Sequence, residues 1–309
     1  MSINKLVKMI KEKRSPILVG LDPRIEQIPG EVKDKYFAEH GNTFKAVGLS
    51  FIEFNRGIID AIADLVPAVK PQIAFYEKYG IEGLLAYKDT CDYAAEKGLY
   101  VLADVKRGDI GSTSKAYSEA HIGATDINGE KHTAFFSDSL TVNPYFGDDC
   151  LKEFVDDIEA HDKGMWVLVK TSNKSSAQLQ DLKVDGRHIY EIVADLVDKW
   201  SQKTVKECGY SPIGAVVGAT FPGEAETLRK LMPNSYFLVP GYGAQGATGK
   251  DIVNCFNEDG LGAIVNSSRG ITFAYQKVEG KDYKEAARDA VIAMKDDINS
   301  ALEAAGKKY

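Results

Sequence analysis

The sequence predicts an α/β protein with a single domain, a (β/α)8 TIM barrel that spans residues 1–309. Eight short apolar runs are separated by helical segments, and such runs are typical of parallel strands covered on both faces. No Pro/Ser-rich linker, low-complexity tract or composition shift marks a domain boundary. With 44% hydrophobic and 27% charged residues, the composition is that of an ordinary globular protein. An open, doubly wound sheet is the alternative with the same order of elements.

The first half of the chain contains four of the predicted strands. They lie at 17–22, 69–74, 99–104 and 140–144. A long polar loop of about 23–48 follows the first strand, and a polar insert of about 125–137 precedes the fourth. Between the strands, helices are expected at 51–65, 79–97 and 112–123.

Four further apolar runs predict the strands of the second half. They lie at 165–172, 214–220, 236–241 and 262–268. A last amphipathic segment, 283–304, predicts a helix that packs against the closed barrel. Eight strand–helix units in a chain of this length fit a TIM barrel.

Composition and charge exclude several classes of partner. The net charge of −7 argues against a nucleic-acid surface and against an anionic membrane. The four cysteines are far apart and form no CxxC pair, so neither a disulfide framework nor a zinc site is expected. Residues 1–14 are lysine-rich and lack the apolar stretch of a signal peptide, and no run approaches the length of a membrane span. We therefore expect a cytoplasmic protein.

Charged side chains are concentrated at the end of the third predicted strand. Strand alternation puts Asp104 and Lys106 on the same face as Leu102. Gly108 is expected to end the strand and to place Asp109 on a loop. An ammonium between carboxylates is costly to desolvate, but the spacing alone does not favour a functional role over a structural one. A surface ion pair at a strand end is the alternative interpretation.

Polar residues also follow most of the other strands. Their positions are Asp22, Lys70, Gln72, Asp104, Lys106, Asn143, Thr171, Ser172, Thr220, Gln245 and Arg269. In a TIM barrel the carboxyl ends of all eight strands meet at one face, and active sites lie there. The sequence therefore predicts an active site at that face.

The glycine-rich stretch 241–246 satisfies G-x-G-x-x-G after a strand, which would ordinarily indicate a dinucleotide fold. However, it follows the seventh strand, and no acidic residue ends the next one. Gly249-Lys250 does not complete a P-loop either, because Asp251 stands where Ser or Thr is required. Barrels commonly bind phosphate in the loops after strands seven and eight, where Gln245 and Arg269 supply donors. These loops predict a monophosphate site, and a glycine-rich connection without a ligand is the alternative.

Taken together, these motifs resemble the orotidine 5′-monophosphate decarboxylase family. The resemblance spans about 16–275, and its length and insert are similar to those of the longer bacterial-type branch. It is carried by V-G-L-D-P around Asp22, by Lys70, by D-x-K-x-x-D-I-G-x-T from Asp104 to Thr113, by P-G-x-G-x-Q at 240–245 and by S-R-G at 268–270. Sugar-phosphate decarboxylases and aldolases of the same superfamily share the D-x-K-x-x-D run alone.

The resemblance implies conversion of orotidine 5′-monophosphate to uridine 5′-monophosphate and carbon dioxide, the last step of de novo pyrimidine nucleotide synthesis. It implies no metal and no organic cofactor. Lys106 would protonate C6 of the pyrimidine, and Asp104 would lie against the substrate carboxylate. Lys70 and Asp109 would complete the charged array.

The same resemblance implies the residues that bind substrate. Asp22 would bind the ribose hydroxyls, and Ser172 the pyrimidine edge, although Thr171 is an equally good donor at the same strand end. Gln245 and Arg269 would bind the phosphate, with Gly270 beside them. In a homodimer, Asp109 and Thr113 would come from the partner subunit.

Three other functions fit part of these data. A metal-dependent sugar-phosphate decarboxylase or hexulose-phosphate synthase would use the carboxylates to hold a cation. A nonenzymatic phosphoribosyl-ligand sensor would bind nucleotide without turnover. An adhesion ligand would use the tripeptide Arg107-Gly108-Asp109, but no secretory signal accompanies it.

Overall fold

Eight parallel strands close into a barrel in the computed structural model, which describes residues 2–220, 222–243 and 246–309. The strands are β1 (Ile17–Leu21), β2 (Ala68–Pro71), β3 (Tyr100–Arg107), β4 (Ser139–Val142), β5 (Gly164–Lys170), β6 (Ser211–Val217), β7 (Ser235–Pro240) and β8 (Ala263–Ser267). They pair in sequence order, and β8 returns to β1 with Val265 opposite Ile17. The predicted (β/α)8 fold is confirmed, and the open sheet is excluded.

Helices surround the strands. They are Ser2–Lys13, Gly30–His40, Phe44–Ile62, Ala74–Glu77, Gly80–Glu96, Gly111–His121, Asp148–His161, Ala177–Gln180, Ile189–Thr204, Pro222–Leu231, Gly249–Ile252, Arg269–Thr272 and Tyr283–Ala304. Single 3-10 turns lie at Ile25–Gln27, Lys174–Ser176, Val253–Cys255 and Ala274–Lys277. In the part of the chain described, no helix is both long and apolar enough to cross a bilayer.

Side chains alternate between two buried layers along the strands. Val101 and Ala103 face the helices, whereas Leu102 points into the barrel, as the alternation predicts. The amphipathic helix Ser2–Lys13 packs its apolar face, including Leu6, into the same interior cluster. This helix closes the amino-terminal end of the barrel, which leaves the carboxyl ends of the strands as the open face.

Residues 23–48 are not the long loop that the sequence predicts. They contain the helix Gly30–His40 and the first turn of Phe44–Ile62. The helix Gly30–His40 buries only Val32, so its sequence lacks the apolar periodicity that would have identified it. Similarly, the polar insert 125–137 folds in part, as an antiparallel hairpin of Thr125–Ile127 and Glu130–His132.

Candidate active site

Two lysines and one carboxylate form a row across the ends of β2 and β3. Asp104 accepts a hydrogen bond on each oxygen, from Lys70 Nζ to Oδ2 at 2.6 Å and from Lys106 Nζ to Oδ1 at 2.5 Å. Lys70 and Asp104 are adjacent because β2 and β3 pair in register below them, with Val69 opposite Val101. The structure thus brings together three of the four predicted catalytic side chains.

Burial differs sharply within this row. The side chains of Lys70 and Asp104 are 7% and 8% exposed, whereas that of Lys106 is 46% exposed. Burial opposes the charged form of Lys70, but the carboxylates of Asp104 and Asp22 outweigh it and raise the Lys70 pKa. Burial likewise opposes ionisation of Asp104, yet the two ammonium groups lower its pKa well below the ordinary range. The buried pair is therefore ionised at neutral pH.

Lys106 has a left-handed backbone, with φ of 44°. Beside it, β3 advances four residues from Ala103 to Arg107 while β4 advances two, from Leu140 to Val142. Such an irregularity re-aims the side chains at a strand end. A positive φ is uncommon outside glycine, so the surrounding contacts must hold this conformation.

Thr141 on β4 supplies those contacts. Its Oγ1 accepts hydrogen bonds from Val105 N at 3.0 Å and from Lys106 N at 2.8 Å, and its hydroxyl donates to Asp104 Oδ1 at 3.0 Å. One hydroxyl therefore satisfies two backbone groups and orients the carboxylate. The sequence prediction missed Thr141, although its inward position on the strand next to β3 was a usable signal.

The row opens into a cavity of about 220 Å³, which we call the lysine cleft. Its lining consists of Lys70, Asp104, Lys106, Thr141, Leu168, Thr171, Ser172, Asn173, Val216, Leu238, Pro240 and Asn266. The charged residues lie on β2 and β3, whereas Leu168, Val216 and Leu238 form an apolar wall on β5, β6 and β7. A flat ring with one polar edge fits between the charged side and the apolar wall.

Thr171 and Ser172 differ in their hydrogen bonds. The Thr171 hydroxyl donates to Asn173 Oδ1 at 2.6 Å and accepts from Gln180 Nε2 at 2.7 Å. Ser172 is seated close against Gly218, where a Cβ would lie 2.9 Å from the Ser172 Cβ. The Ser172 hydroxyl has no hydrogen-bond partner among the described residues, which leaves it available to a ligand.

A second cavity, of about 170 Å³, adjoins the first, and we call it the arginine cleft. It is lined by Asp22, Arg24, Pro240, Gly241, Tyr242, Asn266, Ser267, Ser268 and Arg269. Pro240 and Asn266 line both clefts, so one elongated ligand can occupy the two together. Asp22 Oδ1 and Asn266 Oδ1 are buried and have no hydrogen-bond partner within the described residues. The sequence prediction missed Asn266.

The structure describes two of the three predicted phosphate-binding residues. Arg269 is exposed and begins the helix Arg269–Thr272, with Gly270 directly after it. Across the arginine cleft, Gly241 has φ of 108°, a conformation that favours glycine. Gln245 lies outside the described residues.

Asp109 and Thr113 do not join the lysine cleft of their own chain. Asp109 Oδ1 accepts a hydrogen bond from Ile110 N at 2.8 Å, which holds its carboxylate at the start of the helix Gly111–His121. Thr113 is exposed on the first turn of that helix. These two predicted site residues are thus separated, within one chain, from the other seven that the structure describes.

The donor set in the lysine cleft is poorly suited to a metal ion. Both oxygens of Asp104 already accept from ammonium groups. In the described residues, no group of three or more His, Cys, Asp and Glu side chains is arranged to hold a cation. The chemistry that these residues themselves offer is charge stabilisation and proton transfer by lysine.

Similarity to known proteins agrees with this geometry. The family model described as "Orotidine 5'-phosphate decarboxylase / HUMPS family" matches residues 16–283. The orotidine 5′-phosphate decarboxylase of Caldicellulosiruptor saccharolyticus is 40% identical over 299 residues, which are 97% of this chain and 98% of that protein. Its counterpart in Rhodopirellula baltica is 42% identical over 286 residues, 91% of this chain and 93% of that protein.

Solved structures give the same result. A Toxoplasma gondii structure, provisionally named orotidine-monophosphate-decarboxylase, matches with a TM-score of 0.79 and 29% identity, covering 98% of this chain and 97% of that one. The OMP decarboxylase of Leishmania donovani matches with a TM-score of 0.72 and 29% identity, covering 97% of this chain and 98% of that one. The chain belongs to the orotidine 5′-phosphate decarboxylase family.

Proposed function

We propose that the lysine cleft converts orotidine 5′-monophosphate to uridine 5′-monophosphate and carbon dioxide, as a step of pyrimidine biosynthesis, with Lys106 as the proton donor. The observation that carries the proposal is the alternating row of Lys70, Asp104 and Lys106, which lines one side of a cavity whose other side has an apolar wall. Relatives that match almost the full length of the chain carry this activity in their names, which supports it.

Lys106 matches the demands of the chemistry. When carbon dioxide leaves, the electron pair of the broken C–C bond stays on C6, in the ring plane and without conjugation. Such a carbanion needs positive charge fixed where it develops, and an ammonium at ~4 Å contributes about 4 kcal/mol at an effective dielectric of about 20. Asp104 holds the Lys106 ammonium at the cleft. Transfer of a proton from Nζ to C6 completes the product, and water then restores the proton on the amine.

Asp104 contributes through its fixed negative charge. Its pKa stays low because Lys70 and Lys106 both bond to it, so it remains ionised when substrate binds. A substrate carboxylate beside it would be repelled, and the repulsion would end as neutral carbon dioxide departs. Binding energy from distant parts of the nucleotide can offset that repulsion in the bound substrate.

The remaining site residues divide between the two clefts. We assign the pyrimidine edge to Ser172 rather than Thr171, because the Thr171 hydroxyl is already engaged on both sides. Asp22 is assigned to the ribose, because its unpartnered oxygen lies in the arginine cleft, within electrostatic reach of Lys70. Arg269, Gly270 and Gln245 are assigned to the phosphate.

The test of this function is to supply purified protein with orotidine 5′-monophosphate and to measure carbon dioxide release in excess EDTA. We expect turnover without added metal or cofactor. Loss of turnover in EDTA that magnesium restores would instead assign the chain to the metal-dependent sugar-phosphate enzymes. Nucleotide binding without carbon dioxide release would indicate a sensor.

We also propose a homodimer in which Asp109 and Thr113 complete the partner's site. The loops after β3 and β4 touch, since Asn143 N donates to Arg107 O at 2.8 Å. Together they expose large apolar side chains, namely Ile110, Tyr145 and Phe146. An exposed apolar patch is typical of an interface between subunits, and this patch lies beside Asp109, whose carboxylate does not line the lysine cleft of its own chain. A cytoplasmic location stays a prediction from sequence.

Mixing two inactive variants tests the shared site. Lys106→Ala and Asp109→Ala proteins are unfolded and reassembled together, and decarboxylation is measured. About half of the dimers should be mixed, so roughly a quarter of all sites should be intact if Asp109 acts across the interface. Lys106→Ala mixed with Asp104→Ala is the control and should recover nothing. If both mixtures stay inactive although mass measurements confirm heterodimers, Asp109 acts within its own chain.

A further inference from the structure

The arginine cleft contains a second guanidinium that no part of the proposed chemistry uses. Arg24, on the loop after β1, lines this cleft together with Arg269. Neither arginine forms an ion pair or a side-chain hydrogen bond with any residue that the structure describes. For a chain of net charge −7, two unpaired guanidinium groups around one cavity are an unusual concentration of free positive charge.

Arg24 is also held in place, which a free surface arginine is not. Its guanidinium carbon lies 5.0 Å from the centre of the Phe75 ring, in a cation–π arrangement. Its Nε is buried and has no hydrogen-bond partner among the described residues. Burying such a donor is unfavourable unless a ligand supplies the acceptor.

The carboxylate in the cleft does not account for Arg24. Asp22 lines the same cavity but makes no hydrogen bond to Arg24, and its charge acts on Lys70. The acceptor that fits Arg24 must therefore come from outside the described residues. A phosphate dianion offers several oxygens in the geometry that guanidinium groups bind, and two arginines can share it.

We propose that Arg24 is a second phosphate-binding residue, which contacts the nucleotide phosphate from the β1 side of the cleft while Arg269 contacts it from the β8 side. This inference rests on the proposed function, because that function puts a nucleotide phosphate in the arginine cleft. Phe75 orients the Arg24 guanidinium before the ligand arrives. Arg24 thus acts on affinity for phosphorylated ligands and leaves the decarboxylation step unchanged.

Arg24→Met separates the charge from the packing, because methionine keeps an apolar stem over Phe75. The affinities of the variant for UMP and for uridine are measured by calorimetry, together with kcat and KM for orotidine 5′-monophosphate. We expect UMP to bind about tenfold more weakly or worse, uridine to bind as before, and the KM to rise while kcat changes less than about twofold. Arg24→Lys should restore part of the UMP affinity.

Arg56→Met is the matched control, since Arg56 also lies over an aromatic ring, that of Tyr93, but is paired with Asp89 on the outer surface. It should leave all four quantities unchanged. Equal weakening of UMP and uridine by Arg24→Met, or no weakening of either, would overturn the proposal. Absence of carbon dioxide release by the unaltered protein would overturn the proposed function instead, while the comparison of UMP with uridine would still decide the role of Arg24.

Discussion

The two sides of the site differ in whether their buried polar groups have hydrogen-bond partners without substrate. At the ends of β2, β3 and β4, the polar groups of Lys70, Asp104 and Thr141 are partnered within the chain. In the arginine cleft, Asp22 and Asn266 keep unpartnered buried oxygens. The first side resembles a catalytic centre that is organised in advance, and the second requires a ligand to satisfy it. We expect changes on the first side to act on kcat and changes on the second to act on affinity.

Removing the proton donor should produce the largest effect. Lys106→Ala should lower kcat at least about a hundredfold, because general acids contribute on this scale. Among the described residues, the other lysine that lines the cleft is Lys70, and its side chain is buried. UMP affinity should change little, as measured by calorimetry. Lys163→Ala is the control, since Lys163 donates to Ser137 O at the other end of the barrel. Comparable weakening of UMP binding by Lys106→Ala would remove the distinction between the two sides.

Arg269→Ala should give the next largest effect, and on affinity alone. Loss of a charged hydrogen bond to phosphate corresponds to about 1.5–3 kcal/mol, which is roughly a ten- to 150-fold weaker UMP complex. Uridine should bind as it does to the unaltered protein, because it carries no phosphate. Titrations of both ligands decide the matter, and equal weakening of the two would show that Arg269 does not bind phosphate.

Thr141→Val tests whether the lysine side is organised in advance. The substitution keeps the shape but removes the acceptor of two backbone N–H groups and the donor to Asp104. We expect urea unfolding to show a loss of about 1–3 kcal/mol and kcat to fall severalfold. Thr90→Val is the control, since Thr90 is also buried and makes two hydrogen bonds but lies in the helical layer. If both variants lower kcat alike, Thr141 acts only through stability.

The smallest effect concerns acid stability and lies outside both clefts. Burial lowers the pKa of His121 to about 4, so the folded state keeps it neutral. As the pH falls from about 6.5 to 4, the unfolded chain gains a proton that the folded chain does not. The free energy of unfolding therefore decreases as the pH decreases. The loss at pH 5 relative to pH 7.5 should be about 2 kcal/mol in urea unfolding.

His121→Phe should abolish this pH-dependent loss while keeping a ring stacked on Phe135. Asp104 affects stability only at lower pH. Because its pKa is lowered in the folded state, its ionised carboxylate stabilises the fold at every pH above the ordinary carboxyl pKa, and this contribution is lost only as the pH falls below that value. An unchanged slope between pH 5 and 7.5 in His121→Phe would place the acid-sensitive group elsewhere.

The sequence predicted the barrel and the charged row because both leave strong signals. Buried parallel strands are continuous apolar runs, and a charge that ends such a run is conspicuous. Strand ends were displaced by up to three residues, as in β6, which begins at Ser211 with Pro212 inside it rather than at Gly214. Serine and proline are more typical of turns than of strands, so the local composition does not show where this strand begins.

What the sequence did not reveal depends on contacts between distant residues. The left-handed backbone of Lys106 is held by Thr141, which lies 35 positions further on. Thr141 and Asn266 are neutral side chains in apolar strands, and Arg24 is one charge in a polar segment. None of the three stands out until the barrel brings its neighbours together.

The backbone of Lys106 has a consequence for how this position can change over generations. A left-handed lysine costs stability that glycine would not, so selection for folding alone would favour glycine at position 106. Lysine persists there only while its ammonium is useful. In a duplicated copy that is no longer under selection for catalysis, this lysine should therefore be among the first residues to be replaced. The resulting protein should be more stable than its parent. In this barrel, a left-handed backbone falls on the residue that we propose as the proton donor.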